Sequence, residues 1–231
     1  MSNILDKIVQ IDFPKDQYYQ EETKKTMIFL HHTVSPRNSA QNVAVWWASN
    51  REHVSTQIVL NGDGIPYQLY SSKFWSYHLG SDSQIFRTHG VPYKNLDKIS
   101  IAVEICSWGC LVQDTDKKWY PVKYDSKLKK VVPYKGAGVI PNDQVHVFDE
   151  PFRGMTGFHK YSTEQIETLK ELLIYWGDRW SIPLDYHPEM WDVSVDCLKG
   201  TPGIWSHTSV RSDKSDIFPQ PEMVTMLQSL V

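Results

Sequence analysis

Cysteine is scarce in this chain: Cys106, Cys110 and Cys197 are the only three in 231 residues. An odd, irregularly spaced set excludes a disulfide framework and suits a reducing compartment. Cys106 and Cys110 have the spacing of half a metal site, but no second pair follows, so all three read as reduced thiols that bind no metal. A basic excess is also lacking. The 24 Lys and Arg against 27 Asp and Glu give a net charge of -3, which excludes the broad positive field of a nucleic-acid protein. No stretch approaches the roughly 18 apolar residues of a membrane span. The opening MSNILDKIVQIDF breaks its apolar positions with charges, so a cleaved signal peptide is not expected and a cytoplasmic location is. Repeats and low-complexity segments are missing as well.

Aromatic residues, by contrast, are plentiful. Nine Trp and 12 Tyr permit a carbohydrate-bearing substrate, since aromatic rings stack on sugar faces as readily as they fill a core. The length suits one domain over residues 1–231 with a single active site. Ile8 to Phe13 reads as a strand that turns at Pro14 and forms an edge hairpin within residues 1–26. Apolar runs predict strands at 27–33, 55–60, 99–105 and 203–206, and Asn61-Gly62-Asp63-Gly64 predicts a hairpin turn after the second. Helices are expected in AQNVAVWWASNREH (residues 40–53), in Tyr161 to Trp180 behind a Ser162 to Gln165 capping box, and at the C-terminus. In the first of these, Trp46 and Trp47 are core or groove wall. Residues 107–160 loosen into a Lys- and Tyr-rich stretch that reads as a hairpin insertion. Its Lys123, Lys127, Lys129, Lys130 and Lys135 are a solvated surface.

Chemistry concentrates between Gly203 and Pro219. His207 follows a short apolar strand, and a polar loop then brings Lys214 and Asp216, the latter nine positions after the histidine. Imidazole and carboxylate in one loop can close on one metal ion, and a catalytic zinc normally takes a third protein ligand. MIFLHHT supplies it at a strand end, where side-chain alternation lets only one of His31 and His32 face the His207 loop. In ISIAVEI, Ile99, Ile101, Val103 and Ile105 share one face and Ser100, Ala102 and Glu104 the other. A carboxylate in so apolar a strand is costly unless it is paired or useful, so Glu104 is expected to look into a crevice.

The ordered motifs strand-HHT, VSTQIVLNGDGIPYQLY, YHLG, ISIAVEI, the YSTEQ helix, GIWSH and DKSD resemble the zinc-dependent N-acetylmuramoyl-L-alanine amidases of type 2 over residues 24–220. That family shares its fold with peptidoglycan recognition proteins and many phage endolysins. The resemblance implies an α/β domain with a central mixed β-sheet flanked by helices, zinc lying in an open groove at the strand ends. It implies His31, His207 and Asp216 as zinc ligands, with His32 turned to a structural hydrogen bond. Glu104 becomes the catalytic base and Lys214 the oxyanion partner. His78, in a segment like the family's W-H-x-G with Tyr77 replacing the tryptophan, is placed with Tyr77, His32 and Trp47 along the substrate groove. Gln57 stands where relatives carry the histidine of V-S-x-H. The implied activity is hydrolysis of the bond between the lactyl group of N-acetylmuramic acid and L-alanine in peptidoglycan, by a monomeric, bacteriolytic, endolysin-like enzyme without a separate wall-binding module. The alternatives are a peptidoglycan-binding recognition protein without activity, which would hold no zinc, and a cytoplasmic amidase that recycles anhydro-muropeptides.

Overall fold

The computed structural model describes residues 4–50 and 52–230. The strands are β1 (Val9–Gln10), β2 (Met27–His32), β3 (Ile58–Leu60), β4 (Pro66–Gln68), β5 (Ser100–Ile105), β6 (Cys110–Gln113), β7 (Trp119–Asp125), β8 (Lys130–Pro133), β9 (Val145–Phe152), β10 (Met155–His159) and β11 (Gly203–Ser206). The helices are α1 (Ile4–Lys7), α2 (Ala40–Asn50), α3 (Ser83–Thr88), α4 (Leu96–Ile99), α5 (Thr163–Trp180), α6 (Val195–Lys199) and α7 (Pro221–Gln228). None of the described helices is long and apolar enough to cross a membrane.

The central sheet is mixed, in the order β1-β4-β3-β5-β2-β11. Four adjacent strands, β3, β5, β2 and the edge strand β11, run parallel and are the four apolar runs expected from sequence. Strands buried on both faces need apolar residues at successive positions, as in MIFL and SIAV. Helix α5 covers one face: Leu169, Leu172, Leu173 and Trp176 join Ile28, Leu30, Ile58, Leu60, Ile101 and Val103 in the main core. Its start is fixed by the expected capping box, in which the Ser162 hydroxyl accepts from the Gln165 N–H and the Ser162 N–H donates to Gln165 Oε1. On the other face α2 packs Ala40, Ala44 and Trp47 with Val59 and Cys106. That helix ends at Asn50; of the longer run expected, Arg51 lies outside the described residues. The turn between β3 and β4 forms as expected, with the Asn61 N–H bonded to the Ile65 carbonyl and Gly64 at φ +79°.

Two expectations are corrected. Residues 4–26 form no edge hairpin, because β1 pairs in parallel with β4, leaving only two paired residues at the sheet edge; Met1 to Asn3 lie outside the described residues. The stretch expected as one hairpin carries a second sheet, wholly antiparallel, in the order β8-β7-β6-β10-β9. Its outer hairpin, β7 and β8, exposes Lys123, Lys127, Lys129 and Lys130, and Lys135 is exposed in the 3-10 turn that follows. Proline and lysine within these short strands hide a sheet whose buried residues are few: Leu111, Ile140 and Val145 form its small core with Trp108 and Trp119.

The packing of α5 is testable. Leu172 is fully buried, so Leu172→Ala is expected to cost about 2–5 kcal/mol in urea unfolding. A cost within the ±0.5 kcal/mol or so of an ordinary surface substitution would contradict the assigned α5 interface.

Candidate metal centre

The parallel register brings the chemistry to one sheet edge. His31 pairs with Glu104, and Glu104 with Val59 across β5 and β3. On the other side Ser206 pairs with Leu30, so His207, one residue on, falls beside His31. Parallel partners point to the same face. Three polar side chains therefore stand in a row at the carboxyl ends of their strands, where open α/β sheets place ligands.

Asp216 is returned to this row by local bonds. His207 begins a 3-10 turn whose Thr208 and Ser209 hydroxyls both donate to the Met190 carbonyl at 2.9 Å. The Thr208 N–H donates to the Asp216 carbonyl at 3.1 Å and closes the loop. Beyond it Phe218, fully buried, stacks on Phe158 and Tyr161 with ring centroids 4.6 and 4.7 Å apart. The Gln220 side chain clasps the backbone of Tyr161 through both its oxygen and its nitrogen.

The three donor atoms converge. His31 Nδ1 lies 3.0 Å from His207 Nδ1 and 3.2 Å from Asp216 Oδ2, and His207 Nδ1 lies 3.0 Å from the same oxygen. Ligands bonded at about 2 Å around a tetrahedral ion stand about 3.3 Å apart, so the spacing fits a four-coordinate metal with one position open. The tautomer fits as well. The Leu79 carbonyl can only accept, so His207 Nε2, 2.8 Å away, carries a hydrogen. In the tautomer that binds a metal, the lone pair of Nδ1 then points at the Asp216 carboxylate, and a cation between them would satisfy both. His31, His207 and Asp216 are 1%, 6% and 8% exposed. Burial, with His207 alongside, pushes His31 down to about 4 and keeps it unprotonated at neutral pH. Burial alone would raise Asp216, but the imidazoles set against it, His207 first, outweigh burial and hold the carboxyl well below its ordinary range. Among the described residues this is the group that could hold a metal ion.

Glu104, His78, His207, Lys214 and Asp216 line a cavity of about 200 Å³ together with His32, Val34, Trp47 and the Val54 to Thr56 strand entry. Glu104 Oε2 is buried without a hydrogen-bond partner. Burial, then the Asp216 charge, push its carboxyl well above the ordinary range, and Lys214 opposes them. A wider cavity of about 470 Å³ shares Val34, Trp47 and Glu104 and continues past Thr33, Ser39, Asn42 and the exposed Trp46.

The remaining sequence candidates occupy different places. His32 touches the smaller cavity but is held by the Tyr161 hydroxyl, 3.0 Å from its Nδ1, and burial pushes it down to about 4. His78 stands behind His31, its Nδ1 3.0 Å from His31 Nε2. Trp47 is a buried wall common to both cavities. Tyr77 is half exposed and packs edge-on against Tyr19 and Trp75, outside the lining of either. Gln57 is buried and structural: its amide donates to the Phe74 carbonyl and its oxygen accepts from the Ala102 N–H. Cys106 and Cys197 are buried, and the Cys110 thiol meets the Ser215 hydroxyl at 3.3 Å. Sequence reasoning passed over Leu79, whose contribution is a backbone carbonyl that no residue type announces.

Comparison with known proteins gives two results. Among solved structures the chain is similar to "Structure of PlyL", with a TM-score of 0.53 and 12% identity, covering 97% of this chain and 98% of that one. It is similar also to a structure of a PlyL mutant, with a TM-score of 0.50 and 12% identity, covering 96% and 98%. At such identity the likeness speaks for the fold. No curated protein matches. The sequence model of one family, N-acetylmuramoyl-L-alanine amidase, matches residues 21–221. Spanning β2 to β11, α5 and the loop that carries His207 and Asp216, that match means that the chain belongs to the N-acetylmuramoyl-L-alanine amidase family.

Proposed function

We propose that the chain is a zinc-dependent amidase that cuts polymeric peptidoglycan between the lactyl group of N-acetylmuramic acid and L-alanine, with His31, His207 and Asp216 as the zinc ligands. The observation that carries the zinc reading is the triangle of donor atoms, 3.0, 3.0 and 3.2 Å on its sides. Two imidazoles and one carboxylate are a donor set that zinc accepts. Zinc held there supplies Lewis-acid activation of a water and of the scissile carbonyl. Action on the polymer is supported by the two contiguous cavities, which leave room for groups on both sides of the cleaved bond.

The chain's own residues supply the proton chemistry. Glu104, with an unbonded oxygen on the cavity wall, takes a proton from the attacking water and delivers it to the departing L-alanine nitrogen. A raised carboxyl pKa suits both halves of that task, because the group must hold the proton between the two transfers. Lys214 sets its ammonium on the same cavity and stabilises the oxyanion that forms at the lactyl carbonyl, an interaction worth on the order of 3 kcal/mol. Trp47 and Trp46 wall the groove beside Glu104.

Elemental analysis of purified protein is expected to give one zinc per chain, lost in Asp216→Ala. Retention of zinc in that variant, or a wild-type protein that binds none, would contradict the ligand set. Glu104→Gln is expected to keep the zinc while turnover of a purified muropeptide falls roughly 100- to 10,000-fold. Near-normal turnover would remove Glu104 from the chemistry. Because Lys214 lowers the Glu104 carboxyl, Lys214→Met is expected to move the acid limb of kcat/KM to higher pH and to reduce kcat. An unmoved acid limb would separate the two groups.

A further inference from the structure

The two histidines of the metal triangle are oriented by one short segment, and that segment is gripped by one buried carboxylate. Resting on the zinc reading above, we propose that Asp97 and His78 are positioning residues that set the tautomer and direction of both histidine ligands. His78 and Leu79 are consecutive. His78 Nδ1 faces His31 Nε2 at 3.0 Å, and the Leu79 carbonyl accepts from His207 Nε2 at 2.8 Å. Adjacent residues thus hold the far nitrogens of both rings whose Nδ1 atoms converge on Asp216.

The direction of the hydrogen bonds follows. With His31 Nδ1 given to a metal, its Nε2 bears the hydrogen and donates to His78 Nδ1. His78 Nε2 then donates to the Ser100 hydroxyl at 2.8 Å, and that hydroxyl donates to the Asp97 carbonyl at 3.3 Å. Each donor has an acceptor and each acceptor a donor, a chain that needs His78 as an acceptor rather than as a cation. The His78 ring is 2% exposed, so this chain is shielded from water.

Asp97 holds the segment itself. Its Oδ1 accepts the backbone N–H groups of both His78 and Leu79, at 2.8 and 2.9 Å. Asp97 is 6% exposed and sits in α4, the turn that runs directly into β5. Residues 97 and 100 therefore grip His78 at its backbone and at its ring, and residue 104 of the same continuous segment is the proposed base. The wholly buried Lys25 donates to the Lys98 carbonyl at 3.0 Å; burial pushes it down to about 7, and the Glu21 and Asp97 charges oppose that. Loss of a partner that orients a metal-bound histidine typically weakens metal affinity 10- to 100-fold.

The test is zinc affinity, measured by chelator competition on metal-free protein reloaded with zinc, beside urea unfolding of the same metal-free samples. Asp97→Ala and His78→Leu are expected to weaken zinc about 10- to 100-fold. Asp97→Asn, whose amide oxygen can still accept both N–H groups, and His78→Asn, whose oxygen can replace Nδ1, are expected to bind zinc close to wild type whatever their stability. Wild-type zinc affinity in folded Asp97→Ala and His78→Leu would overturn the proposal, as would Asn variants as weak as those two. If Asp97→Ala does not fold, the His78 pair decides alone. Failure of the wild-type protein to bind zinc would instead sink the zinc reading, so the two failures are distinct.

Discussion

Everything at the candidate site depends on the register of three parallel strands. The pairing of β2 with β5 sets His31 beside Glu104, and that of β11 with β2 sets His207 beside His31. A slip of one residue in either pairing would send a functional side chain to the opposite face and an apolar one to the groove. The apolar runs that look merely like core are thus what aims the polar residues following them. Helix α5 enforces the register through Leu169, Leu172 and Leu173, which accept Ile28, Leu30, Ile101 and Val103 but have no place for a carboxylate.

The site also illustrates how burial can prepare a metal centre. Withdrawing His31 from water disfavours its protonated form, while the two imidazoles set against Asp216 keep its carboxyl well below the ordinary range. The result is one negative charge and two lone pairs directed at a common point, an arrangement that is costly by itself and favourable around a dication. Glu104 lies near enough to feel the Asp216 charge yet has an oxygen without a hydrogen-bond partner, which is what the proposed proton transfer requires of it. The fold supplies a third layer behind these groups: Leu79 and His78 behind the histidines, and Asp97 behind them both.

Much of this was legible in the residues. Runs such as MIFL and SIAVEI announce buried strands, and a histidine or glutamate at their ends is conspicuous because apolar surroundings make it expensive. That the loop brings His207 and Asp216 together was legible from their spacing, and the α5 helix from its periodicity and capping box. Other features were hidden for physical reasons. Asp97 sits in the polar string NLDKIS, and nothing in such a string says that a four-residue helix will bury its carboxylate. Lys25 is wholly buried within the run KKT, against the habit of its residue type. The Leu79 carbonyl is main chain, and that His78, besides lining the cavity, also stands behind His31 shows only in the packing. The second sheet escaped because its strands pair mostly with their neighbours and bury little, so alternation in them is weak.

The central claim is which bond the enzyme breaks, and mass spectrometry of digested sacculi tests it most directly. Purified sacculi incubated with the zinc-loaded protein should release stem peptides that begin with a free L-alanine amino group and leave glycan strands of undiminished length. Shortened glycans still carrying their peptides, or no release from a protein shown to hold zinc, would contradict the account.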